Sequence, residues 1–147
     1  MELVHDDGGR SAAGYSGLTG DCVTRAIAIA TGKPYQEVYD AINEMAKGER
    51  RGRRKRGVSN ARTGVYKATY RKYLEKLGWV FTPTMGIGTG CTVHLKDGEL
   101  PMGKLIVSVS KHMVAVIDGV MHDTHDPSRE GTRCVYGYFS NPNLCAQ

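Results

Sequence analysis

Gly17-Leu-Thr-Gly-Asp-Cys-Val-Thr-Arg-Ala-Ile-Ala-Ile-Ala-Thr-Gly32 is a loop running into an apolar helix, with a cysteine at the point of entry. Gly17 and Gly20 loosen the approach. Asp21 stands where a carboxylate can accept the orphan amides of a first helical turn, and Cys22 lies within that turn. Between Val23 and Ala30 only Thr24 and Arg25 are polar, so this helix is expected to be buried nearly all round. Gly32 supplies the stop. A thiol at a helix N-terminus feels the positive end of the macrodipole, which favours thiolate. That is a nucleophile's position, and a buried structural cysteine is the plain alternative.

Outward from this stretch the pattern is helical, then stranded. Pro34 suits the first turn of a second helix, in which Tyr35, Val38, Ile42 and Met45 recur at three- and four-residue spacing before Gly48. A third helix is expected over about 64–77, with Val65, Tyr66, Tyr70, Tyr73, Leu74 and Leu77 giving a core-facing side, closed by Gly78. Trp79-Val80-Phe81 opens the β part. Short strands are expected over about 91–95, 104–108, 112–117, 120–124 and 133–139, and Asp118-Gly119 is a two-residue hairpin signal. Helices first and a meandering antiparallel sheet afterwards make an α+β domain. Its expected extent is 17–140, after a glycine-rich flexible lead-in over 1–16 and before a tail over 141–147.

Composition narrows the class. The 147 residues suit one domain, and 40% hydrophobic content suffices for a core. No apolar run reaches membrane-spanning length, and the acidic N-terminus lacks a signal peptide's plan, so a cytoplasmic location and no membrane partner are expected. The cysteines at 22, 91, 134 and 145 form no C-x-x-C pair, and in a reducing compartment they are expected to be free thiols. The net charge of +5 is local: six of the 20 basic residues are Arg50, Arg51, Arg53, Arg54, Lys55 and Arg56. This run, inside an expected exposed loop over 49–57, reads equally as a contact for nucleic acid or an acidic partner and as a solvated loop. Gly86-Ile-Gly-Thr-Gly90 lacks both the spacing and the following helix of a dinucleotide fingerprint, so no cofactor is expected.

The chemistry rests on a histidine about ninety positions after the cysteine. His112 opens the strand Met-Val-Ala-Val-Ile. A tight turn at Asp118-Gly119 pairs Ile117 with Val120 and carries Asp123 opposite Val114, two positions from His112 and on its face of the sheet. Asp126, just before Pro127, is the competing orienter. A catalytic cysteine needs a base, a group that fixes the base and donors for an oxyanion. The dipole alone lowers a thiol's reference pKa of about 8.5 by less than a unit, so His112 must supply most of the activation. His122 and His125 with Asp123 and Asp126 lack an established ligand spacing, and no metal is expected there.

Cysteine at the start of a buried helix, a later strand-borne histidine and an aspartate one hairpin away resemble the papain-like cysteine peptidase superfamily. The short bacterial type with an Asp-Cys helix start, the C39-like peptidases, looks nearest. The block from Gly20 to Phe139 is also similar to small phage-encoded proteins, notably over Leu105-Ile-Val-Ser-Val-Ser-Lys-His-Met-Val-Ala-Val-Ile-Asp-Gly119 and Arg133-Cys-Val-Tyr-Gly-Tyr138. The first resemblance implies a papain-like fold and a cysteine hydrolase acting on a peptide or protein substrate, with Cys22 as nucleophile, His112 as base and Asp123 as orienter. The family's oxyanion glutamine, about six residues before the cysteine, is replaced here by Ser16; Ser16, Thr19 or the Cys22 amide are the candidate donors. A non-enzymatic interaction protein using residues 50–56 is the alternative of a different class.

Overall fold

A computed structural model describes residues 1–17, 19–49 and 57–143. Three helices, α1 (Cys22–Thr31), α2 (Tyr35–Ala46) and α3 (Lys67–Lys76), pack beside a six-stranded sheet. Its strands are β1 (Glu2–His5), β2 (Val80–Pro83), β3 (Lys104–Val109), β4 (His112–Ile117), β5 (Val120–Asp123) and β6 (Val135–Ser140), in the order β1-β5-β4-β3-β6-β2. The class is α+β.

The sheet alternates as its sequence requires. Ile106, Met113, Ala115 and Phe139 join the core that α1, α2 and α3 cover, with Ile27, Val38, Ile42 and Leu74 fully buried among them. Leu105, Val107, Val109, Val114, Val116 and Met121 point the other way, into a second cluster closed by Leu95 and Val135. The strands are therefore apolar at successive positions because both faces are covered. At the β2 edge, a methyl group on Gly137 would collide with the Phe81 ring and the Thr82 carbonyl, so only glycine lets β2 lie flat on β6.

The hairpin expected at Asp118-Gly119 is present. Both residues have positive φ, 48° and 78°, and the register pairs Ile117 with Val120, Val116 with Met121 and Ala115 with His122.

Four expectations are corrected. The sheet is mixed rather than an antiparallel meander, because β1 runs parallel to β5. That strand lies in the segment read as a flexible lead-in over 1–16: its glycines obscured the short β-run Glu2-Leu-Val-His5, which finds an open sheet edge. No strand forms over 91–95; His94 makes a lone bridge to Cys134. Nor are the cysteines all free, since Cys91 and Cys134 form a disulfide, their Cα atoms 5.8 Å apart, and Cys22 is the free thiol among the described residues. Two positions 43 apart in sequence meet because β6 passes the loop after β2, a tertiary approach that spacing cannot reveal.

The basic residues Arg50, Arg51, Arg53, Arg54, Lys55 and Arg56 lie outside the described residues. The flank at Glu49 is tied down, its carboxylate accepting the Ser59 amide at 2.6 Å and the Thr69 hydroxyl. No described helix is long and apolar enough to cross a membrane.

Candidate active site

Cys22 opens α1 where the loop before it lies against the turn at 60–64. Gly20 donates its amide to the Arg62 carbonyl at 2.9 Å, and a Cβ there would come within 3.0 Å of the Thr63 carbonyl. Asp21 is the N-cap residue, yet its side chain caps nothing. Its carboxylate, 1% exposed, accepts instead from Arg25, from Arg10 at 3.2 Å and from the Tyr35 hydroxyl at 2.7 Å. The expected cap is thus replaced by a buried ionic knot, because Arg25 sits one turn along the helix, on Asp21's side.

His112 enters from a different element. β3 and β4 are joined by the two-residue turn Ser110-Lys111, with Lys111 in the left-handed region at φ 55° and Val109 paired with His112. The imidazole therefore starts β4 at the sheet's end nearest α1. A register shift between Ser108 and Val109 breaks the β3–β6 ladder beside it, an irregularity of the kind that re-aims side chains at sites.

Asp123 ends β5, its carboxylate 2% exposed. Oδ2 lies 2.6 Å from His112 Nε2. Oδ1 accepts the Thr124 amide at 2.7 Å and Arg25 Nη2 at 3.2 Å. Asp126 does not compete, because its Oδ1 is taken by the amide and hydroxyl of Ser128 at 2.8 and 2.6 Å in a local turn. With Nε2 engaged by Asp123, Nδ1 is the ring nitrogen left for Cys22.

The electrostatics follow from these contacts. Burial pushes the Cys22 thiol up, but its hydrogen bond with His112, the imidazolium charge, the Met113 amide and Arg25 outweigh burial and leave it below its ordinary value. Burial likewise disfavours the His112 imidazolium, yet Asp123 and the Cys22 thiolate raise it to about 9. For Asp123, burial favours the acid form, and His112, the Thr124 amide and Arg25 hold it below the usual carboxylate range. With the thiol below its ordinary value and the imidazole raised to about 9, the proton is favoured on the ring, as a thiolate–imidazolium pair.

The pair opens on a cleft of about 800 Å³, walled by α1's entry, the 63–67 segment, Tyr70, Ser108 and the β3–β4 turn. Thr19 lines it, although its hydroxyl proton goes to the Arg62 carbonyl at 2.7 Å. Ser16 is absent from the lining, and its carbonyl accepts from Arg62. The Cys22 amide lies in the first turn of α1, where amides have no intrahelical partner, and it stays a candidate oxyanion donor.

Ligand atoms of His112, Asp123 and His125 lie within 4.8 Å of one another. An ion there would have to displace the proton shared between His112 Nε2 and Asp123 Oδ2, so these three residues cannot serve a metal and the triad together. His122 stands apart, 3.7 Å from Asp6.

Sequence reasoning passed over Arg25, Arg10 and Tyr35. The Asp21–Arg25 spacing was a visible signal, since oppositely charged residues four apart on an apolar helix can be buried only as a pair. Tyr70 packs on the core as read, edge-on to Phe139, and its hydroxyl also reaches the cleft, bonded to Ser108. Comparison with family models, curated proteins and solved structures found no match for the chain.

Proposed function

We infer that the protein is a papain-like cysteine hydrolase cleaving a peptide or amide bond. The observation that supports this most is Cys22 at the start of α1, facing an imidazole that Asp123 fixes from behind at 2.6 Å. The nucleophile helix packed on the sheet that bears base and orienter is the arrangement such a domain requires.

In this reading the Cys22 thiolate attacks the carbonyl carbon, and the Cys22 amide receives the developing oxyanion. The C–N bond breaks as imidazolium His112 gives its proton to the departing amine, leaving a thioester on Cys22. Neutral His112 then takes a proton from water, whose oxygen attacks the thioester. A carboxylic acid leaves, and thiolate and imidazolium are restored. Asp123 keeps the ring oriented and stabilises its cationic form throughout.

Alkylation by iodoacetamide, mapped by mass spectrometry, tests the pair. An ordinary thiol is only about 0.3% thiolate at pH 6. Cys22 should react at pH 6 at more than about tenfold an ordinary thiol's rate, and His112→Ala should abolish that excess. Hydrolysis should rise through the thiol's lowered pKa and decline as His112 loses its proton near 9. Equal reactivity of Cys22 in wild type and His112→Ala at pH 6 would overturn the reading.

A further inference from the structure

The Cys91–Cys134 disulfide has an ionisable neighbour that the hydrolase reading does not use. His94 Nε2 lies 3.5 Å from Cys91 Sγ. The other ring nitrogen, Nδ1, donates to Glu99 Oε1 at 3.2 Å, and the His94 amide reaches the same oxygen at 3.2 Å. Lys96 Nζ pairs with Glu99 Oε2 at 3.3 Å. The His94 ring, ahead of the amide and Lys96, holds the Glu99 carboxyl below the ordinary carboxylate range. An ionised acceptor on Nδ1 fixes the ring and leaves Nε2 to face the sulfur. Sulfur, imidazole and carboxylate in that succession are the surroundings that favour a thiolate.

The two sulfurs are not equivalent. Cys91 is exposed and Cys134 half-buried. A backbone carbonyl approaches each, Val93's at 3.6 Å from Cys91 Sγ and Val135's at 3.8 Å from Cys134 Sγ. The imidazole is what sets Cys91 apart. Cys134 Sγ meets Met85 Sδ at 3.7 Å, and the neighbouring Arg133 guanidinium is spent on the Pro127 and Ser110 carbonyls. Opening the bond therefore favours thiolate at Cys91. The backbone keeps the pair together without the S–S bond. The Val135 amide donates to the Val93 carbonyl at 2.8 Å and the Leu95 amide to the Arg133 carbonyl at 2.9 Å, with Leu95 fully buried between them.

We propose that Cys91 and Cys134 form an exchange-active dithiol–disulfide couple for low-molecular-weight thiols and disulfides, with Cys91 as attacking thiol, His94 stabilising its thiolate and Cys134 as resolving thiol. In the reduced protein the Cys91 thiolate, its proton held on His94, attacks one sulfur of a small disulfide RSSR. That molecule's S–S bond breaks and RS⁻ leaves. Cys134 gives up its proton and attacks Cys91 Sγ in the mixed disulfide, and the second RS⁻ leaves. The two RS⁻ take up the two protons, so two electrons pass from the protein to the small disulfide. The reverse sequence, begun by RS⁻ at the exposed Cys91 sulfur, reopens the protein's bond. None of these groups belongs to the Cys22 site.

Oxidised glutathione is the probe, added to the reduced full chain at pH 6.5, with adducts located by mass spectrometry after acid quenching. Wild type should close the Cys91–Cys134 bond. Cys134→Ser should accumulate the glutathione adduct on Cys91 at least about tenfold faster than Cys91→Ser accumulates it on Cys134, and adding His94→Gln to Cys134→Ser should remove most of that advantage. In reduced wild type, which carries no substitution, iodoacetamide should label Cys91 about tenfold faster than Cys134 at the same pH. Equal labelling of the two in reduced wild type, an adduct rate that His94→Gln leaves undiminished, or adducts confined to Cys22 would each overturn the couple.

Discussion

Arg25→Met removes the charge that two buried carboxylates share while keeping much of the side chain's volume. Arg25 is 6% exposed and reaches Asp21 through Nη1 and Asp123 through Nη2. Deleting one partner of a buried ion pair costs about 3–5 kcal/mol. Here Asp21 keeps Arg10 and Tyr35, and Asp123 keeps His112 and the Thr124 amide, so the lower end applies, about 3 kcal/mol. For a domain of this size that is a fall in melting temperature of roughly 6–12 °C. Urea unfolding should show a lower midpoint with an unchanged slope. Arg25→Lys should recover less than half of the loss, because one ammonium cannot fork to two carboxylates. The deficit should also depend on pH. Asp123 is held below its ordinary value, so its stabilisation is present above 3.8 and lost as pH falls through the folded value. Wild type and variant should therefore converge in strong acid. A loss at neutral pH below about 1 kcal/mol would refute the reasoning, since neither carboxylate would then depend on the guanidinium.

Two further outcomes follow from the contacts. Asp123→Asn should depress hydrolysis at least about a hundredfold more than Asp126→Asn, and should lower the low-pH alkylation of Cys22 where Asp126→Asn leaves it unchanged, because only Asp123 touches the ring; comparable losses in the two variants would contradict the hairpin register. Reducing the Cys91–Cys134 disulfide should lower stability by up to about 4 kcal/mol, the loop-closure value for a separation of 43 residues, read as a shift in urea midpoint between oxidised and reduced protein; an unchanged midpoint would show that the loop stays ordered without the bond.

Much of this site was legible in the sequence because it is built from local signals. A cysteine heading an apolar helix, a histidine heading an apolar strand and a two-residue turn of fixed register each read from a few neighbouring residues. The turn then carried Asp123 to His112 by counting alone. What escaped was set by tertiary approach. β1 joins β5 across more than a hundred residues, and the disulfide forms only once β6 has passed the loop after β2. The role of Asp21 escaped for a different reason. Its place favours a cap, but Arg25 offered a charged donor in a dry interior, where charge pairing outweighs one amide hydrogen bond.

The parallel pairing of β1 with β5 bears on when the protein acquires its chemistry. His5 sits opposite Asp123, and the Asp6 amide donates to the Asp123 carbonyl at 3.0 Å. Cys22 leaves the ribosome about 100 residues ahead of Asp123, a delay of roughly 5–20 s at ordinary rates of synthesis. For most of that interval the His112 imidazole is not yet made, and until its end Asp123 and the complete β5 are missing. Cys22, His112 and Asp123 are therefore brought together in the same late event that docks the N-terminal strand and completes the sheet edge.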